Sequence, residues 1–366
     1  MWNLFFHPLR QYPGPKFSAA LPFPYFRALL TGRISYYCLQ LHREYGDVVR
    51  IAPNELSYAT GDAWKDIHER RPGHALLPKE ENFYTAPPGG VHSIITADHE
   101  HHMHIRRLVS HAFSEKALRD QEPLMKVYVD LLINRLKDKA KNEEVVDVVS
   151  WYNWTTFDLV GDLTFGEPFN CLKDAMYHPW VDLLFSSVKV GAFFAAAAYF
   201  PGGLELLKLL VPKEEMKKRD EHMEYTTDKV KRRLAAQTDR ADFMSSILHH
   251  NEKKAMTEAE IISTAWHLII AGSETTATLL SGATFHLLRN PETMQKLKDE
   301  VRSAFQTEDD ITLARVNGLT YMLAVLDEGL RIYPPVPVGL PRRVPKGGEI
   351  ILDKFVPEGV STSSQL

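Results

Sequence analysis

Cysteine is scarce in this sequence: two among 366 residues, Cys38 and Cys171. Two isolated thiols exclude a disulfide framework, a four-cysteine zinc site and an all-cysteine iron–sulfur cluster. Any thiol chemistry must use one of these two. An excess of one charge is also missing. Lys plus Arg is 43 and Asp plus Glu is 47, a formal net charge of −4. That balance offers no electrostatic footprint for nucleic acid. No apolar run reaches the roughly 18 residues that cross a bilayer; the longest, Val190 to Phe200, is too short. There is no internal repeat or low-complexity linker, and no composition shift marks a second domain.

What remains is an ordinary globular composition, 44% apolar and 25% charged. A chain of this length hides roughly three quarters of its unfolded surface. The start, Met1 to Phe6, is rich in large apolar residues without the layout of a signal peptide. It reads as a frayed end or as the stub of an anchor. Pro13-Gly14-Pro15 follows as a stiff, non-helical exit. The last three residues, Ser364-Gln365-Leu366, match a peroxisomal tripeptide only loosely, because the middle one carries no positive charge.

Val48 to Ile51 and Leu56 to Tyr58 flank Pro53-Asn54 and predict a hairpin. From about residue 100 the apolar spacing is helical, over Ser114 to Lys139, Val146 to Leu163, Pro212 to Ala236 and Asp242 to His249. The clearest helix starts at Thr257, where Thr257 and Glu260 form a capping box. It continues to Leu288 without proline, a span of about 45–50 Å at 1.5 Å per residue. Asn290-Pro291-Glu292 then predicts a new helix, with N-cap, N1 proline and first-turn acid. Gly318 to Tyr333 reads as another, stopped by Pro334-Pro335. The fold class is mainly α with a small β part.

Four motifs invite chemistry. His99, His101, His102 and His104 form a histidine cluster, but H-E-x-x-H needs a histidine where Met103 stands. His68-Glu69 fails likewise at Pro72. Gly161 to Gly166 has the glycine spacing of a phosphate loop, but Glu167-Pro168 follows it, and an acid there repels phosphate. Ala271-Gly272-Ser273-Glu274-Thr275-Thr276 puts a glycine, a carboxylate and hydroxyls inside an apolar helix. Glycine in mid-helix costs about 1 kcal/mol relative to alanine, so it signals close packing or function. The Thr275 hydroxyl is placed to bond back to the Ala271 carbonyl and loosen the helix into a groove. Last, Glu328 and Arg331 at i, i+3 share one helix face.

In this order the motifs resemble a cytochrome P-450, a haem-thiolate monooxygenase, and in particular the fungal microsomal members. The run 271–276 resembles the family's oxygen-binding groove, Glu328 and Arg331 its E-x-x-R bracket, and Tyr12-Pro13-Gly14-Pro15 its proline hinge. Asp98 to Phe113 resembles the helix that contacts the haem propionates. The resemblance implies haem b, a proton relay through Glu274 and Thr275 beside Ala271 and Gly272, and propionate contacts from His102, Arg106 and Arg342. It implies a substrate pocket at Val336, Val338 and Leu340, joined by the 190–200 region. It also implies a lipophilic substrate from secondary metabolism, an NADPH-cytochrome P-450 reductase as electron donor, and a site on the cytosolic face of the endoplasmic reticulum membrane. Residues 1–16 would be the anchor-proximal stub and hinge, and 17–366 a single domain.

The family's axial cysteine lies in a loop well beyond the E-x-x-R helix. None of the residues after Arg331 is a cysteine. No residue is therefore assigned to the metal, and the resemblance implies a fold incomplete at its C-terminus, with an exposed apolar patch where the final helix belongs. Two other readings stand beside it: an inactive fragment without haem, and a non-haem protein binding metal through the histidine cluster.

Overall fold

The computed structural model describes residues 1–366 except 85–89, 201, 211–212, 237, 239, 252–255 and 366. The side chains at 182–190, 208–210, 213, 215–216, 218–219 and 222–223 are also outside the description. Val190, Pro212 and Leu366, each part of a reading above, fall there. Among the described residues the elements are mostly helices, with two small sheets.

The chain divides into two compact units. One comprises 1–86, 186–216 and 336–366 and holds the β structure. Strands β1 (Val48–Ala52) and β2 (Glu55–Tyr58) form the antiparallel hairpin the sequence predicts. Two short strands follow, β3 (Arg342–Arg343) and β4 (Glu349–Ile351), then β5 (Lys354–Val356) and β6 (Ser361–Ser364). The larger sheet runs β1-β2-β6-β3, with β6 parallel to β2. The smaller one pairs β4 with β5.

The N-terminal stretch is packed rather than frayed. Leu9 is fully buried, and the Asn3 carbonyl accepts from the buried guanidinium of Arg50 at 2.9 Å. Met1, Trp2, Phe5 and Phe6 nonetheless face solvent. The proline segment lies along β1, where the Arg50 N–H donates to the Pro13 carbonyl at 2.8 Å. Gly14 has φ +156°, and a Cβ there would strike the Arg50 carbonyl oxygen, so only glycine fits. Gln365 continues the β2–β6 pairing by donating its N–H to the Tyr58 carbonyl at 2.6 Å.

The second unit, 87–185 and 217–335, contains the long helix Glu258–Arg289. Its capping box is formed: Glu260 N–H donates to Thr257 Oγ1 at 3.3 Å, and Thr257 N–H to Glu260 Oε2 at 2.7 Å. Thirty-two residues give about 48 Å of helix. Its buried positions are mostly small, among them Ser263, Ala265, Ser273, Ala277, Gly282 and Ala283, which lets neighbours approach closely. The Val148–Phe165 helix is buried around most of its circumference and packs on the long helix. At this contact a Cβ on Gly272 would lie 3.0 Å from Val160.

The other predicted helices form as Glu115–Lys141, Lys213–Ala235, Phe243–His250, Pro291–Ala304 and Thr320–Ile332. Asn290 corrects one expectation. It precedes Pro291 but makes no side-chain cap; its amide donates back to the His286 carbonyl at 2.8 Å. The glycine run 161–166 is structural. A Cβ on Gly161 would lie 2.6 Å from the Phe169 ring, and Gly166 ends its helix in the left-handed conformation.

Candidate active site

The long helix brings Ala271, Gly272, Glu274 and Thr275 together in the second unit. The Thr275 hydroxyl donates to the Ala271 carbonyl, the local bond that the residue types suggest. Ser273 makes the same back-bond to Ile269. Two such bonds within three residues draw carbonyls away from the helix ladder. Glu274 is half-buried, and its Oε2 is hidden from solvent without a hydrogen-bond partner. Burial pushes its carboxyl above the ordinary glutamate range. The helix therefore presents an acid that keeps its proton longer than usual, one residue from a hydroxyl.

Packing accounts for the mid-helix glycine, since Gly272 is where Val160 of the neighbouring helix presses in. That neighbour also holds Cys171. Asp158 accepts the N–H groups of Phe169 and Cys171 through Oδ1, at 3.1 and 3.0 Å. Through Oδ2 it accepts that of Leu172 at 2.9 Å.

His102 and Arg106 lie on the His99–Val109 helix of the same unit. The His102 Nδ1–H donates to the Ile94 carbonyl at 2.7 Å, which fixes the ring; Arg106 is exposed. The histidine cluster does not converge on a point. His101 Nε2 pairs with Glu260, tying this helix to the long one, and Arg107 approaches His104. Among the described residues no three His, Cys, Asp or Glu are placed to hold a metal ion. The His101–Glu260 pair is absent from the sequence reading, where Glu260 serves only as a cap. Burial works against the Glu260 charge, but bonds from the Thr257 N–H and hydroxyl and from His101 hold it below the usual range. Nothing in the local sequence signals this, because the partners lie far apart in the chain.

Glu328 and Arg331 form their bracket, at 2.6 and 2.7 Å, but both side chains are more than half exposed. On the same unit Phe285, Leu288, Leu323, Leu330, Ile332 and Tyr333 are exposed apolar side chains. Arg342, Val336, Val338 and Leu340 belong to the first unit. Arg342 is partly buried, and its Nε lies 3.5 Å from His68 Nδ1. Burial and this cation bring the His68 imidazole down to about 4. Val336 and Leu340 are exposed, and Val338 lines a small cavity with Cys38.

A mainly helical unit, one long helix with an acid and a hydroxyl at a back-bonded step, and a following E-x-x-R helix are the features on which the resemblance to a haem-thiolate monooxygenase rests. The comparisons agree. The family model for cytochrome P450 matches residues 15–363. The cytochrome P450 monooxygenase astA of Talaromyces wortmannii is 46% identical over 358 residues, which cover 98% of this chain and 72% of its own length. Cytochrome P450 monooxygenase efuB of Hormonema carpetanum is 43% identical, covering 99% and 73%. For traB of Penicillium crustosum, another cytochrome P450 monooxygenase, identity is 44% over the same shares. The chain belongs to the cytochrome P450 family, and by that membership it is a monooxygenase.

The family's cofactor is haem with a thiolate on iron. Neither thiol suits the iron. Cys38 is 2% exposed in a core of Tyr25, Phe26, Leu41 and Val49, and burial, with Glu55 nearby, pushes it to about 12. Cys171 is 1% exposed in the loop pinned by Asp158, and burial pushes it to about 12 as well. Both stay protonated at neutral pH, whereas a metal ligand must be a thiolate.

Proposed function

We propose that Glu274 and Thr275 are the proton-handling pair of a monooxygenase acting on a lipophilic small molecule of secondary metabolism. The observation that carries this reading is the hidden, unpartnered Oε2 of Glu274, whose carboxyl burial pushes up. A carboxyl that burial raises above its ordinary range, beside a hydroxyl, is suited to general acid work. Haem, when bound, supplies activation of dioxygen for insertion of one oxygen atom into a C–H bond. His102, Arg106 and Arg342 are the proposed propionate contacts, by charge-assisted hydrogen bonds. Glu328 and Arg331 brace their helix, and Val336, Val338 and Leu340 give apolar surface to the substrate. The electron donor is an NADPH-cytochrome P-450 reductase, at the cytosolic face of the endoplasmic reticulum membrane. No helix among the described residues is long and apolar enough to cross that membrane. The similarity to astA, efuB and traB supports the monooxygenase class.

Infrared titration tests the pair. The expected result is a protonated-carboxyl band, persisting above the ordinary glutamate range, in the difference between the unaltered chain and Glu274→Gln. A difference spectrum without that band overturns the assignment.

The two buried thiols favour a second reading, a P450-fold chain that takes up no haem through a thiolate of its own. Reduced protein with haem and carbon monoxide separates the two. A thiolate-type Soret band refutes the second reading.

A further inference from the structure

A cavity of about 270 Å³ opens within the first unit, walled on one side by Pro22, Phe26 and Pro53. Acidic side chains line it too. Glu55, at the start of β2, is 6% exposed, and its Oε1 has no hydrogen-bond partner. Glu80 is 1% exposed and lies 3.4 Å from Arg343 Nε, which offsets its charge. With these groups ionised, the Glu55 charge is left without a counter-ion, and an unmatched charge in a buried site is costly.

Aromatic rings surround the same space. Tyr25 meets Phe26 edge-on with centroids 5.5 Å apart, and Phe26 meets Tyr199 at 5.2 Å and 67°. The Tyr199 hydroxyl lies toward the Glu55 carboxyl. Aromatic rings beside a buried carboxylate are the chemistry that holds an ammonium group. No three metal-type ligands converge among the described residues, and the Pro22, Phe26 and Pro53 wall suits carbon rather than a hydrated ion. The volume is near the lower end of ordinary small-ligand sites, about 300 Å³.

We propose that this cavity binds a small organic monocation of the ammonium class, its N–H donating to Glu55 Oε1 and its carbon body lying against Tyr25, Phe26 and Tyr199. Neither Glu274 nor Thr275 lines it. Burial, with Glu80 adding to it and the Tyr199 and Tyr25 hydroxyls opposing, pushes the Glu55 carboxyl up to about 7. Binding of a cation therefore releases the proton from Glu55 near neutral pH. The other titratable groups facing Glu55 are Glu80, Arg343, Tyr25, Tyr199 and Cys38. Burial pushes the last three upward, so they remain protonated through the acidic range.

Calorimetric titration of the full chain with benzylamine, and with benzyl alcohol as its neutral counterpart, decides the matter. At about pH 8 the amine should bind saturably and at least about tenfold more tightly than the alcohol. Glu55→Gln should abolish that preference while circular dichroism shows an intact fold. On acidification to about pH 5.5 benzylamine keeps its charge while Glu55 gains a proton, so the unaltered chain should lose affinity roughly thirtyfold. Should the variant not fold, this pH series decides alone. Absence of saturable binding, equal binding of amine and alcohol, or amine affinity indifferent to pH overturns the proposal.

Discussion

Glu55 makes the stability of the ligand-free chain depend on pH with a sign opposite to that of most carboxylates. Its carboxyl titrates near 4.5 when exposed and near 7 in the fold, because burial disfavours the charge. Between those values the folded state holds a proton that the unfolded chain has released. Stability is therefore fully present below about 4.5 and falls as pH rises through 7. An offset of about 2.5 pH units at about 1.4 kcal/mol each gives a loss on the order of 3 kcal/mol. Glu55→Gln keeps the shape and removes the titration. Urea unfolding followed by circular dichroism from about pH 4.5 to 8 gives the two profiles. Their difference isolates Glu55 from groups such as His68, which burial and Arg342 lower and which titrates with the opposite sign. The variant should lack that loss and gain on the unaltered chain as pH rises. Parallel profiles would refute the reasoning, because they would mean that water reaches the carboxyl.

Asp158→Ala strands three buried N–H groups, so it should cost about 3–5 kcal/mol by urea unfolding and release the loop around Cys171. Gly282→Ala drives a methyl to 2.5 Å from the Tyr333 ring and should destabilise by about 1–3 kcal/mol, reversing the usual gain from alanine in a helix. Arg233→Ala leaves Asp242 buried without its guanidinium, which is 2.8 Å away, and should cost about 3–5 kcal/mol with little salt dependence. By contrast, Arg331→Ala removes an exposed pair and should leave the unfolding midpoint in place. Neither cysteine should react with a thiol reagent near pH 8 in the native chain, and both should react after unfolding.

Residues close in sequence carried most of what could be read in advance. The Thr257–Glu260 box needs only a four-residue window, and it forms. The hairpin at Pro53-Asn54 and the Thr275 back-bond to Ala271 are equally local. Asn290 shows the limit of such reading: its side chain bonds back to the His286 carbonyl instead of capping the next helix. Glu260 shows another, since its bond to His101 joins two helices whose approach no short window contains.

By itself, then, the sequence determined the family, the mainly helical class, the long helix and the order of its motifs, because each depends on short spacing or on residue type. Tertiary structure alone decided which groups lose water. It buried Glu55 against Tyr25 and Tyr199, hid Oε2 of Glu274, left Glu328 and Arg331 in solvent, and enclosed both thiols. Desolvation is set by atoms brought in from distant parts of the chain. The protonation of an acid or a thiol therefore follows from packing and not from its neighbours in sequence.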